Sequence, residues 1–196
     1  MRWWQVALPL FLAAGSLAAE EKSAFAWKEP RIGAGAFSDR LGMLDREREE
    51  YATNLAVYAL NRVAGAGASA ASLEEARRLL ALSLHLAPRN KRALVANFQL
   101  KRGVVPEEVA SDYSPEVLAR LLFTRSQILR QQGGEENQLL ARAFVALAAE
   151  MDPKNEDAVY ASELQRLDHG PFDWKVLTDV KPVDRPDASE SPTRVP

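Results

Sequence analysis

Along most of this chain apolar positions recur three and four residues apart. From Asp45 to Leu167 the spacing holds with few β-branched runs, and Ala, Leu, Glu, Arg and Gln fill the places between, which predicts helix and no strand. A first helix is expected over Asp45 to Val63, ending where Gly65-Ala-Gly67-Ala-Ser69 sets two glycines close together. Ser72, with Glu75 three residues on, reads as a capping box, so a second helix is expected from Ser72 to Pro88. Asn90 caps a third, Lys91 to Arg102, stopped at Gly103. Val104 to Ser114 contains Pro106 and promises one short helical turn, near Pro106 to Asp112. Ser114-Pro115 then opens a helix that runs to Gln132 and closes at Gly133-Gly134. Glu136 to Met151 follows, and Asn155 caps the last helix, Glu156 to Leu167, ended by Gly170-Pro171. Phe172 and Trp174 are expected to lie over that last helix as a hydrophobic lid.

The pattern changes at both ends. Met1 and Arg2 precede an almost wholly apolar run from Val6 to Ala19, and Glu20-Glu21-Lys22 then turns the chain polar, which is the layout of a secretory signal. Ser16 and Ala18 place cleavage after Ala18, with Ala19 the neighbouring option, so residues 1–18 are expected to be a signal peptide and the protein to be exported, periplasmic or secreted. The run is shorter than the about 20 apolar residues a spanning helix needs and is interrupted by Pro9, so no stable membrane insertion is expected after cleavage. Residues 19–44 carry Pro30, Gly33, Gly35 and Gly42 among Phe25, Trp27 and Phe37, which suits an extended arm whose aromatics dock locally. Residues 171–196 form a proline-rich tail, expected to be mostly disordered, after a helical domain spanning 45–170.

Composition narrows the function classes. Lys and Arg number 25 against 27 Asp and Glu, a net charge of −2, so no polyanion-seeking surface is implied and no nucleic-acid partner is expected. The absence of cysteine removes disulfides, thiolate metal sites and thiol nucleophiles. Only His85 and His169 are present, at spacings that suit neither a zinc site nor a catalytic triad, and each is expected to serve the C-terminal end of its helix. Gly33-Ala-Gly35 lacks the third glycine and the strand of a dinucleotide fingerprint, so no cofactor is expected. Glu47, Glu49, Glu50, Glu107 and Glu108 are the carboxylates available to a glycan hydrolase, but they cluster as exposed helix-face charges.

An internal repeat is the strongest signal. The segment beginning at Ala76 returns at Ala141, 65 residues later, with Pro88 and Asn90 falling on Pro153 and Asn155. Ala76, Leu80, Ser83 and Ala93 meet Ala141, Val145, Ala148 and Ala158, matching in size where helices must approach closely. In the spacings Ala141-x3-Val145-x2-Ala148-x4-Pro153 and Ala76-x3-Leu80-x2-Ser83-x4-Pro88 the chain resembles the tetratricopeptide repeat, a helix pair of about 34 residues. The first-helix half follows less closely, through Leu122, Ser126, Leu129 and Gly133, and through Tyr51, Leu55 and Tyr58. The resemblance covers Asp45 to Leu167 in degenerate form. It implies an all-α superhelix of about three helix pairs and a terminal helix, whose neighbours must stack to bury their apolar faces.

Within that frame Arg92, Val95, Gln99 and Arg102 recur 28 residues on as Arg120, Phe123, Gln127 and Arg130, each set along one helix face. The resemblance implies that such first-helix positions line a concave groove, where guanidinium forks would take carboxylates and glutamines a peptide backbone. The function this reading predicts is an exported adaptor that binds a protein or peptide partner, acidic or through its C-terminus, and catalyses no reaction. The alternatives are a small cell-wall glycan hydrolase with a Glu general acid, and a structural assembly subunit of the envelope.

Overall fold

The structure, a computed structural model, describes residues 25–181. Among them seven helices form: α1 Asp45–Gly65, α2 Ala70–Leu86, α3 Lys91–Lys101, α4 Pro115–Gln132, α5 Glu135–Met151, α6 Glu156–His169 and the single turn α7 Lys175–Thr178. The described residues contain no strand; one isolated parallel bridge joins Arg31 to Asp179. The protein is all-α, as the periodicity predicts. None of these helices is long and apolar enough to cross a membrane. The expected signal segment and the tail from residue 182 onward lie outside the described residues.

The repeat is visible as two copies of one turn. At the end of α2 the Ala87 amide donates to the Ser83 carbonyl at 2.9 Å, and at the end of α5 the Asp152 amide donates to Ala148 at 3.0 Å. Ala87 (φ −141°, ψ 92°) and Asp152 (φ −132°, ψ 82°) share a conformation, and Asn90 and Asn155 each accept from the amide three residues on, at Ala93 and Ala158. Asparagine is favoured here because its carbonyl satisfies one of the amides that a helix start leaves free. The matched small residues Ala76, Ser83, Ala93, Ala141, Ala148 and Ala158 are all fully buried. At Ser83 the reason is direct: its hydroxyl donates to the Ala52 carbonyl of α1 at 2.7 Å, a contact between helices that a larger side chain would hold apart.

One helix start differs from expectation. Ser69, not Ser72, caps α2 by accepting from the Ser72 amide, and the Ser72 hydroxyl donates back to the Ser69 carbonyl. Ala70 and Ala71 are strong helix formers, so the helix gains a turn by starting earlier. Glu75 has turned away to α1, where both its oxygens accept from Arg62 at 3.0 and 3.1 Å.

The larger correction concerns residues 104–112, which form no helix. Val109 is held in both directions by the Asn61 side chain on α1, which donates to its carbonyl at 2.9 Å and accepts from its amide at 2.8 Å. A side-chain amide here replaces a helical ladder, in a stretch where Pro106 and three valines already disfavour helix. This extended segment runs along α1 and delivers α4 to the side of α1 away from α3. Glu49 and Thr53 meet Asn90 at the start of α3, whereas Glu47 and Tyr51 meet Arg125 and Leu121 of α4. At about 100° per residue these pairs stand about 200° apart around α1. Phe123 and Gln127, which face α6, are rotated from Leu121 and Arg125 by the same angle. The helices therefore succeed one another as α3, α1, α4, α6. α2 lies against α1 and α3, and α5 against α4 and α6. The two halves join through the Tyr51 and Phe144 rings, 5.3 Å apart, and an Arg78–Glu150 ion pair at 3.2 Å.

The arm does not dock locally. Trp27 donates to Asn97 of α3, Ser38 donates twice to Glu136 of α5, and the Gly42 amide donates to Asn137. Arg48, buried in α1, spends its guanidinium on the Leu86, Ser38 and Phe37 carbonyls. The stretch after Gly170 is likewise a correction for residues 171–181: α7 seats Leu177 and Thr178 in the core against α2. Arg31 and Thr178–Val180 exchange backbone hydrogen bonds at 2.8 and 2.9 Å, so arm and C-terminal segment pair over α2. Beneath that pair Arg77 donates to the Thr178 carbonyl and to Asp179, both at 2.9 Å.

His85 serves this junction rather than its helix end. It is 1% exposed, accepts at Nδ1 from the Ala36 amide at 2.9 Å, and lies with Nε2 2.7 Å from the Leu177 carbonyl. An amide donor on one side and a carbonyl on the other admit only the neutral ring with its proton on Nε2. Burial pushes its pKa below the ordinary histidine value, against the opposing pull of the Leu177 carbonyl.

Candidate functional site

The two sets of predicted binding residues do not share a groove, because α3 and α4 stand on opposite sides of α1. Arg92 and Val95 of α3 border a cavity with Glu49, Thr53, Asn90 and Lys91. Gln99 is half-buried and Arg102 exposed on the same helix. On α4, Arg120 is exposed, whereas Phe123, Gln127 and Arg130 line one wall of a cleft of about 390 Å³. The opposite wall is α6 and the floor α5. The sequence repeat of Arg, apolar residue, Gln and Arg is thus split between two surfaces by the extended segment that replaced a helix.

The α4–α6 cleft combines three kinds of group. Phe123, Tyr160 and Leu164 give it apolar walls; Gln127, Gln138 and Gln165 give amides; Arg130, Arg142 and His169 stand beside Asp157 and Asp168. α4 positions its residues through the Ser114 cap and Pro115 at its start and the pair Gly133–Gly134 at its end. Both glycines have positive φ, 68° and 84°, a region that side chains with a Cβ avoid, so the tight α4–α5 turn depends on them. Gln138 anchors the rim by donating to the Arg130 carbonyl at 3.1 Å, and Gln165 joins wall to floor by donating to the Arg142 carbonyl at 3.2 Å. Arg142 stacks its guanidinium 5.8 Å from the Phe172 ring, which itself meets Trp174 edge-on at 4.8 Å. Its Nε is shielded from solvent and makes no hydrogen bond among the described residues. Arg142 lines the half-apolar cleft as a planar cation, which is suited to a carboxylate or a peptide carbonyl.

Gln138, Arg142, Tyr160 and Leu164 were not singled out by the sequence motif. For Tyr160 and Leu164 the signal is on α6, where they recur with Leu167 at helical spacing on the side opposite Ala158, the buried contact; Gln138 and Arg142, on α5, carry no such signal. A terminal helix with one core face needs no second apolar stripe. Beyond Arg142, Phe172 and Trp174 line a neighbouring cavity of about 570 Å³ with Arg78, Glu150 and Glu163. The guanidinium of Arg78 lies 5.4 Å from the Trp174 ring.

The carboxylates considered for hydrolysis hold other partners or stand in solvent. Glu47 pairs with Arg125 at 2.8 Å, Glu49 accepts from Asn90, and Glu50 accepts from Tyr113. Glu107 and Glu108 are exposed. Burial, with Glu47 nearby, raises the Tyr51 hydroxyl to about 12, and burial with Glu75 nearby does the same for Tyr58, so both remain protonated donors at neutral pH. No group of three side chains able to hold a metal occurs among the described residues. Compared with protein-family models, curated proteins and solved structures, the chain matches none.

Proposed function

We propose that this protein is an exported adaptor of tetratricopeptide-like, degenerate type that binds a peptide segment of a partner in the α4–α6 cleft, without chemistry on it. The observation that carries this reading is the cleft itself, where Phe123 and Tyr160 flank a basic floor formed by Arg142 and rimmed by Arg130. The ligand it suits is an extended segment that presents one apolar side chain and one carboxylate, either acidic or C-terminal. The carboxylate meets guanidinium, the apolar side chain enters between the rings, and Gln127 satisfies the peptide backbone. The carboxylates on α1 support binding over glycan hydrolysis, since three of them are committed to Arg125, Asn90 and Tyr113.

The test uses two pools of random octapeptides, one ending in a free carboxylate and one amidated, passed over the immobilised protein. Retention of the free pool about tenfold above the amidated pool, lost in Arg130→Glu, is expected for the C-terminal mode. Enrichment of Asp and Glu in both pools, again lost in Arg130→Glu, is expected for the acidic mode. No enrichment, or enrichment unchanged by Arg130→Glu, overturns the assignment. Export is checked by N-terminal sequencing of the protein recovered outside the cytoplasm; a first residue of Ala19 or Glu20 supports it, and a retained Met1 opposes it.

A further inference from the structure

The succession α3, α1, α4, α6 leaves a helix at each end of the described fold with one face buried and the other open. On α3 the open face carries Leu94, Val95 and Phe98, which are 46%, 45% and 64% exposed. On α6 it carries Tyr160, Leu164 and Leu167, at 67%, 42% and 70%. Isolated exposed apolar residues are ordinary, but three together on one helix at each end are a patch that water covers at a cost.

Charge distinguishes the two ends. α3 holds Lys91, Arg92 and Lys101 with Arg102 as its C-cap, and no acidic residue. α6 holds Glu156, Asp157, Glu163 and Asp168, with Arg166 occupied by Glu163 at 2.8 Å. Lys101 is taken by Glu29 at 2.8 Å, whereas Lys91, Arg92 and Arg102 make no ion pair among the described residues, and neither do Glu156, Asp157 and Asp168. In the register of the internal repeat Lys91-Arg92 falls on Glu156-Asp157, and Val95 falls on Tyr160. The same structural positions thus carry opposite charge around an apolar centre at the two ends of one molecule.

We infer that the chain associates with itself head to tail, the α3 face of one copy seating on the α6 face of the next. An α3–α3 contact would oppose Lys91, Arg92 and Arg102 to themselves, and an α6–α6 contact would oppose four carboxylates, so both symmetric pairings are repelled. The mixed pairing alone covers the apolar residues and neutralises the charges together. Such a contact is heterologous, so it propagates until a ring closes or a filament grows. Its α3 half lies away from the α4–α6 cleft in the helix order, but its α6 half shares Asp157, Tyr160, Leu164 and Asp168 with that cleft, so a docked copy and a bound peptide exclude one another there.

Sedimentation velocity on the full chain tests this. From about 10 µM to about 1 mM the average mass is expected to rise without stopping at a dimer, and the rise is expected to vanish in 0.5 M salt. Lys91→Glu with Arg92→Glu cancels the net positive charge of α3, and Glu156→Lys with Asp157→Lys reverses the net negative charge of α6. Each protein alone is expected to stay monomeric, with unchanged helical circular dichroism, and an equimolar mixture of the two is expected to associate again. Phe98→Ser weakens association without altering charge. A wild-type chain that stays monomeric throughout or whose mass saturates at two copies, or a mixture that fails to associate, overturns the inference. Absence of peptide retention by the monomeric Lys91→Glu, Arg92→Glu protein, whose α6 face is unaltered and uncovered, would refute only the peptide reading.

Discussion

Replacing His85 by leucine tests the junction between arm, α2 and C-terminal segment. The ring is 1% exposed and stands between the Ala36 amide and the Leu177 carbonyl, so His85→Leu keeps most of the apolar volume and leaves two main-chain groups without partners. An unpaired buried donor or acceptor costs about 1–3 kcal/mol. The Ala36 bond is only partly buried, which places the total near the lower half of the sum, about 2–4 kcal/mol. Urea unfolding at pH 7.5 measures the loss, and hydrogen exchange locates it, with protection expected to fall first at the Ala36 amide. The pH dependence is a second readout. Burial holds the folded imidazole below its usual pKa, so as pH falls the unfolded chain takes up this proton first. The neutral-ring stabilisation is therefore whole above about pH 6.5 and is lost as pH falls through that value to the folded one, with a slope of at most about 1.4 kcal/mol per pH unit. Wild-type stability should fall between pH 7.5 and 5, and that of His85→Leu should be flatter. A loss under about 1 kcal/mol, or equal slopes in the two proteins, would refute the reasoning.

Two further outcomes are expected. Asn90 is 1% exposed and, besides capping α3, donates to Glu49 and Thr53, whereas Asn155 only caps α6. Asn90→Ala should cost about 2–3 kcal/mol and Asn155→Ala about 1 kcal/mol in equilibrium unfolding, and equal costs would show that the two turns are energetically alike. Burial alone would raise the Asp179 carboxyl, but hydrogen bonds from Arg77, Thr178 and Arg31 hold it at about 2. Its contribution is whole above the unfolded value near 3.9 and disappears as pH falls through that value to about 2. Asp179→Ala should cost about 1–3 kcal/mol at pH 7 and progressively less in acid; a cost that persists at pH 2 would contradict the ion pair with Arg77.

What could be read in advance was what neighbouring residues decide. The Asn90, Asn155 and Ser114 caps, the proline at the start of α4 and the paired glycines after it act within one helical turn, and the structure puts helix ends beside each of them. The size match across the repeat also survived, because close helix packing constrains volume directly. Residues 104–112 escape a local reading because Val109 is held by Asn61, 48 residues away in sequence. That one long-range clamp also redirected α4 and separated the two halves of the predicted binding motif. His85 escapes a local reading for the same reason: its partners Ala36 and Leu177 stand 49 and 92 residues from it, and no local pattern announces them. At the candidate cleft Phe123, Gln127 and Arg130 were legible by periodicity, while the wall facing them required knowing which way α6 turns its second apolar stripe.

Arg31 and Asp179, partners across 148 residues, set a schedule for biosynthesis. At about 5–20 residues per second, the arm leaves the ribosome roughly 7–30 s before the segment that holds it has been made. The helical hairpins α1–α2 and α4–α5 can close meanwhile from nearby residues, but Arg77 and His85 must wait, solvated, for Thr178 and Leu177 to emerge. The earliest translated part of the described fold is thus the last to settle, and a ribosome that stops short of Leu177 releases a chain with its main junction still open.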